Sequence, residues 1–107
     1  MINIMKRFIV ILRMNKYYVE LGEIGMDRIV EYYIVYSSKS PEELEDDMDF
    51  LSTVDDEIIE MYYNYGEEDE DFEDFKDSMG IRCIETYSED EHGKDDYPIL
   101  FDERNLK

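Results

Sequence analysis

The chain holds one histidine, His92, and one cysteine, Cys83, so nucleophilic or metal chemistry of the usual kinds has few residues to draw on. A His-based triad needs the imidazole set against a serine or a thiol and oriented by an acid. His92 instead falls in the polar stretch Ser88 to Asp96, beside Asp90, Glu91, Lys94 and Asp95, at no spacing that implies such a partner, and reads as a solvent-exposed loop residue. Cys83 sits in an apolar run and reads as a small core residue. A zinc site drawing on one cysteine and one histidine would need unusual ligands.

Carboxylates are the abundant chemistry, with 30 Asp and Glu among 107 residues. At that density mere proximity imitates any acid/base pair, so spacing must decide. An EF-hand loop requires oxygen ligands at alternating positions, a glycine at its sixth and a glutamate at its twelfth. The run from Asp69 puts Asp74 where the glycine belongs, and Asp47, Asp49 and Leu51 fail as well. No glycine-rich phosphate loop is present. The expectation is a protein that is not an enzyme and has neither a dedicated metal site nor a cofactor.

What the carboxylates do share is an address. Residues 1–40 carry Lys6, Arg7, Arg13, Lys16, Arg28 and Lys39 against Glu20, Glu23, Asp27 and Glu31, a sum of +2, whereas residues 41–107 hold the other 26 acids against five cations, a sum of -21, which makes the formal charge -19. Between positions 41 and 79 there are 18 acids and one cation, Lys76. Solubility of a small domain asks for a net charge of magnitude about 2–8, and ordinary helical faces mix signs to gain i,i+4 pairs. Such a field repels nucleic acid and anionic membrane and attracts a strongly basic surface. The residues expected to meet a partner are Glu42, Glu43, Glu45, Asp46, Asp49, Asp55, Asp56, Glu57, Glu60, Glu67, Glu68, Asp69, Glu70, Asp71, Glu73 and Asp74, with Tyr62 and Tyr63 adding contact area at low entropy cost.

These residues need a scaffold. The chain is long enough for one domain, 1–107, with one modest core. Tyr17 to Leu21 and Arg28 to Ser37 are β-branched and aromatic runs separated by a glycine-bearing turn, which predicts a β-hairpin. In the second run Val30, Tyr32, Ile34 and Tyr36 share one face and Ile29, Glu31, Tyr33, Val35 and Ser37 the other, so the strand should be central, with helices on one face and exposed tyrosines or the N-terminal segment on the other. Ser40-Pro41-Glu42-Glu43 predicts a helix start, and Leu44, Met48 and Leu51 an apolar stripe. Thr53 to Asp56 reads as a break, followed by a second short helix on Ile58, Ile59, Tyr62 and Tyr63. A third, over 67–79, carries Phe72, Phe75 and Met79 and stops at Gly80. Ile81 to Tyr87 returns to strand chemistry, Tyr97 to Phe101 suits an edge strand because of Pro98, and residues 102–107 should fray. The expected fold class is α+β, an antiparallel sheet with two or three short acidic helices on one face.

Residues 1–13 are apolar and basic but too short to span a bilayer. They read as a buried strand or docked helix, or as an N-terminal extension ahead of a start at Met14. The single cysteine is compatible with a reducing cytoplasm. Homodimerisation is compatible with the sequence.

In size, charge, α+β order and the acidic segments Pro41 to Glu60 and Glu67 to Asp77, the chain resembles the small acidic inhibitors of phages and mobile elements, the DNA-mimic anti-restriction and anti-CRISPR proteins. The resemblance is one of class and rests on no alignable motif. It implies a protein without catalytic residues that blocks a host defence nuclease stoichiometrically at its nucleic-acid or PAM-binding surface. Its members lack a shared fold, so it implies nothing about architecture. Residues rising about 1.5 Å each along a helix approximate the one charge per roughly 1.7 Å of duplex DNA, so acid rows on a rigid scaffold could occupy a Lys/Arg groove. The alternative is an immunity or antitoxin-type protein that neutralises a basic toxin enzyme, where the same field accelerates encounter.

Overall fold

The computed structural model describes residues 14–26, 28–92 and 96–105; the expectations for 1–13 and for the last two residues of the tail lie outside them. β1 (Asn15–Glu23) and β2 (Val30–Ser37) form the expected hairpin, in register from Asn15 opposite Ser37 to Gly22 opposite Val30. The turn needs two glycines for different reasons. Gly25 adopts φ 84°, which side chains disfavour. A Cβ on Gly22 would stand 2.4 Å from the Ile29 carbonyl oxygen, where the returning chain passes.

The sheet order is β3-β1-β2-β4, with β3 spanning Met79–Thr86 and β4 Ile99–Asp102. The hairpin strands are therefore central, which is why both faces of β2 are apolar. β3 joins β1 antiparallel, but β4 runs parallel to β2, so the sheet is mixed where a wholly antiparallel one was expected. Pro98 stands just outside the edge strand and its carbonyl accepts from the Ile34 N–H at 2.9 Å. Pairing of β1 with β3 shifts at Glu20/Leu21, leaving Arg82 as an extra residue in a β-bulge. The guanidinium reaches the carbonyls of Glu23, at 3.1 Å, and of Met26, which ties the bulge to the hairpin turn.

Helix boundaries differ from the sequence reading in an instructive way. α1 (Pro41–Glu45) starts with a complete capping box: Ser40 Oγ accepts from the Glu43 N–H at 3.2 Å and Glu43 Oε1 accepts from the Ser40 N–H at 2.9 Å. It then ends at Asp46, because Asp47 caps a second helix by accepting from the Phe50 N–H at 2.9 Å. That helix, α2 (Met48–Tyr65), runs 18 residues without the expected break at Thr53 to Asp56. Thr53 Oγ1 donates to the Asp49 carbonyl at 3.0 Å, the back-bond of a residue inside a helix, instead of capping a new one. The restart also resets the phase: Phe50, Val54, Ile58 and Met61 face inward, while Met48, expected in the stripe, is 78% exposed.

The expected third helix is shorter. α3 covers Phe72–Ser78, and residues 67–71 are not helical. Met79 is the C-cap of α3, donating its N–H to the Lys76 carbonyl, and with Gly80 it already opens β3. Where a polar loop was expected, Glu89–His92 forms a helical turn, α4. The tail does not fray at once: Glu103–Asn105 form a 3-10 turn in which Glu103 bonds Lys39 Nζ at 2.7 Å.

One core results. Tyr17, Val19 and Leu21 of β1 and Tyr33 and Val35 of β2 meet Leu44 of α1, the four inward residues of α2, Phe75 of α3, Met79 and Leu100. Each such burial contributes about 1.5–3 kcal/mol before chain entropy is counted. α1, α2 and α3 thus lie over one sheet face, while α4 lies over the other, where His92 stacks on Tyr18. No helix among the described residues is long and apolar enough to cross a membrane.

Candidate interaction surface

The acids singled out from the sequence fall into three environments. Glu42, Glu43, Glu45, Asp46, Asp49, Asp55, Asp56 and Glu60 on and between α1 and α2 are exposed, as are Glu67, Glu68, Asp69, Asp71, Glu73 and Asp74 around α3. Two of the exposed acids have a local duty as well: Glu43 closes the capping box, and Glu67 meets Arg28 Nη1 at 3.4 Å. Bonding to the Ser40 N–H holds the Glu43 carboxyl below its ordinary range. Asp47, not among the expected contacts, is held low in the same way by the Phe50 N–H.

Glu57 and Glu70 form the third group, half-buried. Glu57 is turned toward the sheet, where Tyr33 Oη donates to it at 3.1 Å. Burial, and then the Glu57 charge, push the Tyr33 phenol well above its usual range. This pair lines an open cleft of about 290 Å³ between α2 and β2 that Glu31 and Glu60 also border, and Tyr65 donates to Glu31. Glu70 Oε1 accepts from the Glu67 N–H at 3.4 Å, folding the 67–71 turn on itself. Of the 18 acids between 41 and 79, only Asp47 and Glu67 lie within 4.0 Å of a cation among the described residues.

The two tyrosines separate. Tyr62 is half-buried, donates to the Glu70 carbonyl at 2.7 Å and packs edge-on against Phe72 and Phe75, both at 5.3 Å between centroids. Tyr63 is 79% exposed, and Ile59, one turn earlier, is 39% exposed. Ile59 was expected among the residues that define the helix, yet it points outward because Ile58 takes the inward position.

The other face of the sheet carries a cluster that residue-by-residue reading missed. Tyr18 stacks on His92 at 4.0 Å and on Tyr32 at 5.6 Å, Tyr97 meets both tyrosines, and Tyr87 also stacks on His92 at 5.4 Å. His92, expected to be exposed in a loop, has a side chain only 7% accessible, with Nε2 2.5 Å from Glu85 Oε1. Its Nδ1 lies 3.2 Å from the Ser88 amide nitrogen and 3.1 Å from the Ser88 carbonyl oxygen. Glu91 brings a third ligand-type atom within 4.8 Å of the others, and both ring nitrogens already have partners in Glu85 and the Ser88 backbone. Two signals for this cluster were present. Tyr18 and Tyr32 both stand at even positions of a hairpin, and Ser88 precedes Glu91 at capping-box spacing.

Cys83 also lies on this face, opposite Glu20, rather than in the core. Burial, then the Glu85 and Glu20 carboxylates, push its thiol up, which disfavours the thiolate a nucleophile requires.

No protein-family model, no curated protein and no solved structure matches the chain.

Proposed function

We propose that the protein is a non-enzymatic inhibitor that mimics nucleic acid and blocks the nucleic-acid-binding surface of a basic host defence nuclease, a CRISPR effector or a restriction enzyme, in the host cytoplasm. The observation that carries this reading is the set of exposed acids on α1, α2 and the 67–74 segment, nearly all without a counter-cation among the described residues. A fold that needed these charges only for stability would pair them. Left unpaired on a rigid layer, they sustain a field that speeds encounter with a Lys/Arg groove and excludes its nucleic acid. Neither binding to nucleic acid nor association with anionic membrane fits that field.

Two supports differ in kind. α2 is a rigid rod of roughly 27 Å at about 1.5 Å per residue, long enough to present Asp49, Asp56 and Glu60 along a groove. Residues 67–71 are not helical, so their carboxylates act as a flanking turn rather than as a row of helical spacing.

The test is capture of the target from host extract, followed by competition with duplex DNA and guide RNA. Release of a nuclease by either competitor, and loss of inhibition when Glu67, Glu68, Asp69 and Glu70 are changed to Lys in a folded protein, is the expected result. Capture that ignores nucleic acid and survives charge reversal across both acidic segments would overturn the proposal. A captured toxin enzyme, held indifferently to nucleic acid, would establish the antitoxin alternative instead.

A further inference from the structure

The outward side of α2 is not uniformly acidic. Ile59 and Tyr63 stand one turn apart on it, and with Tyr62 and Phe72 they line an open cleft of about 330 Å³. Tyr62 forms its fixed wall, tied at the hydroxyl to the Glu70 carbonyl and at the ring to Phe72 and Phe75. Side chains already held in place offer contact area without a further loss of rotamer freedom. Around the cleft, exposed Asp55 and Asp56 lie one turn before Ile59, Glu60 one turn before Tyr63, and Glu73 beside Phe72.

An apolar cleft set among carboxylates discriminates between side chains. A purely aliphatic occupant would cover the acids and leave them desolvated without a partner. A lysine brings a compact, strongly hydrated ammonium that can sit over one ring but has no planar face to stack on it and no fork of donors for two carboxylates. An arginine satisfies both requirements, because its planar and more weakly hydrated guanidinium stacks on tyrosine while its donors reach carboxylates in charge-assisted bonds. On the α3 side Lys76, exposed one turn after Phe72, disfavours a second cation, so the α2 carboxylates are the ones positioned to receive it.

We infer that the Ile59–Tyr62–Tyr63–Phe72 cleft anchors an arginine side chain of a basic partner protein, with Asp56 and Glu60 receiving the guanidinium and Ile59 covering the aliphatic stem. This rests on the basic-partner reading above and narrows it: arginine, rather than positive charge in general, becomes the feature recognised at the centre of the surface. The acids around it supply the rim, and the cleft supplies the anchor.

The experiment titrates the full chain with nona-arginine and, separately, nona-lysine at matched ionic strength, by calorimetry. Wild type is expected to bind nona-arginine about tenfold more tightly, in keeping with a stacked, carboxylate-bound guanidinium. Ile59→Ser with Tyr63→Ser, both exposed positions whose replacement leaves the core intact, should bring the arginine affinity down to that of lysine without moving the latter. Asp56→Lys with Glu60→Lys should weaken both peptides. Equal affinities in wild type, or a preference that persists in the Ile59/Tyr63 variant, would overturn the arginine assignment while leaving the basic-partner reading standing. Failure of both peptides to bind wild type would overturn the two together.

Discussion

On the helical side of the sheet Asp49, Asp55, Asp56, Glu60, Glu68, Asp69, Glu73 and Asp74 are exposed and meet no cation among the described residues; on the opposite side Lys16, Arg82 and Arg104 are all engaged within the molecule. Lys16 Nζ lies 3.9 Å from the centroid of Tyr87, and Arg104 sits 3.5 Å over Tyr36 while bonding Asp102 through Nε and Nη2, both at 2.9 Å. At the margin between them Lys39 ties Glu103 to Asp47, and Arg28 ties Glu23 to the 67–70 turn. Among the described residues, five cations, Lys16, Arg28, Lys39, Arg82 and Arg104, tie the scaffold together, while most of the acids between 41 and 79 are left free of them. Such a division keeps the domain folded at -19 without neutralising the field.

The largest expected effect separates the two sides directly. Changing Asp55, Asp56, Glu60 and Glu73 to Lys should reduce affinity for a polycationic peptide about 100-fold at low salt, with the melting temperature unchanged or raised. Lys16→Gln with Arg104→Gln should do the reverse, lowering the melting temperature and leaving affinity within about twofold, since isolated cation–π and exposed ion pairs contribute only about 0.5–1 kcal/mol each. Calorimetric titration and thermal melts on the same preparations check both. Loss of fold in the acid-reversed variant would mean that the acids are structural after all, and the division described here would fail.

Lys39 tests the margin. Its ammonium stands 2.7 Å from Glu103 Oε2 and 3.4 Å from Asp47 Oδ2, and bonding to Glu103 raises its pKa. Lys39→Met leaves the Glu103 carboxylate, only 9% accessible, without its counter-charge. Removing one member of a buried pair costs about 3–5 kcal/mol; with Lys39 about a third exposed, a loss of about 1–2 kcal/mol in urea unfolding is expected. A variant as stable as wild type would show that the tail is not held through this contact.

How far the sequence revealed these two sides depends on which physics sets each position. Local chemistry was legible: Ser40-Pro41-x-Glu43 forms the capping box it spells, and the alternation of Tyr32 to Tyr36 marks a central strand. The phase of α2 was not, because it turns on whether Asp47 or Thr53 acts as cap, and either side chain can. Asp47 prevails by bonding the Phe50 N–H, which brings Phe50 into the core and turns Met48 out. β4 pairs parallel with β2 at the edge opposite β3, a placement set by tertiary packing that no short window encodes. The acids were legible as a list; the cleft among them was not, since Ile58 and Ile59 look alike until the helix is placed.

Salt and pH probe the same division with smaller effects. Raising ionic strength screens repulsion among the free acids more than it weakens the few short pairs, so the melting temperature should rise by a few degrees, roughly 2–5 °C, between 20 and 500 mM salt. Acidification should first raise it for the same reason. Glu43, Asp47 and Asp102 have carboxyls held below their ordinary values by the Ser40 N–H, the Phe50 N–H and the Arg104 guanidinium respectively. Their contribution is present above the ordinary carboxyl range and is lost as the pH falls through the lowered values. Melts across pH should therefore pass through a maximum near about pH 4–5 and fall below it. A monotonic fall from neutrality would show that paired acids outweigh free ones.

The last test belongs to the sheet face that α4 covers. His92 contributes there in two ways, by stacking on Tyr18 and Tyr87 and by bonding Glu85 and the Ser88 N–H. Two substitutions pull these apart. His92→Ala removes both and should cost about 1–2 kcal/mol. His92→Phe keeps the stack but leaves Glu85, itself well exposed, to water, and should cost about half as much. Equal losses in the two variants would assign the stability to the hydrogen bonds, and a negligible loss in both would mean that α4 is not anchored through His92. In either variant the acids of α2 and α3 are untouched, so the preference for nona-arginine should be unchanged; a shift in it would mean that the two faces are coupled, contrary to the separation drawn from their contacts.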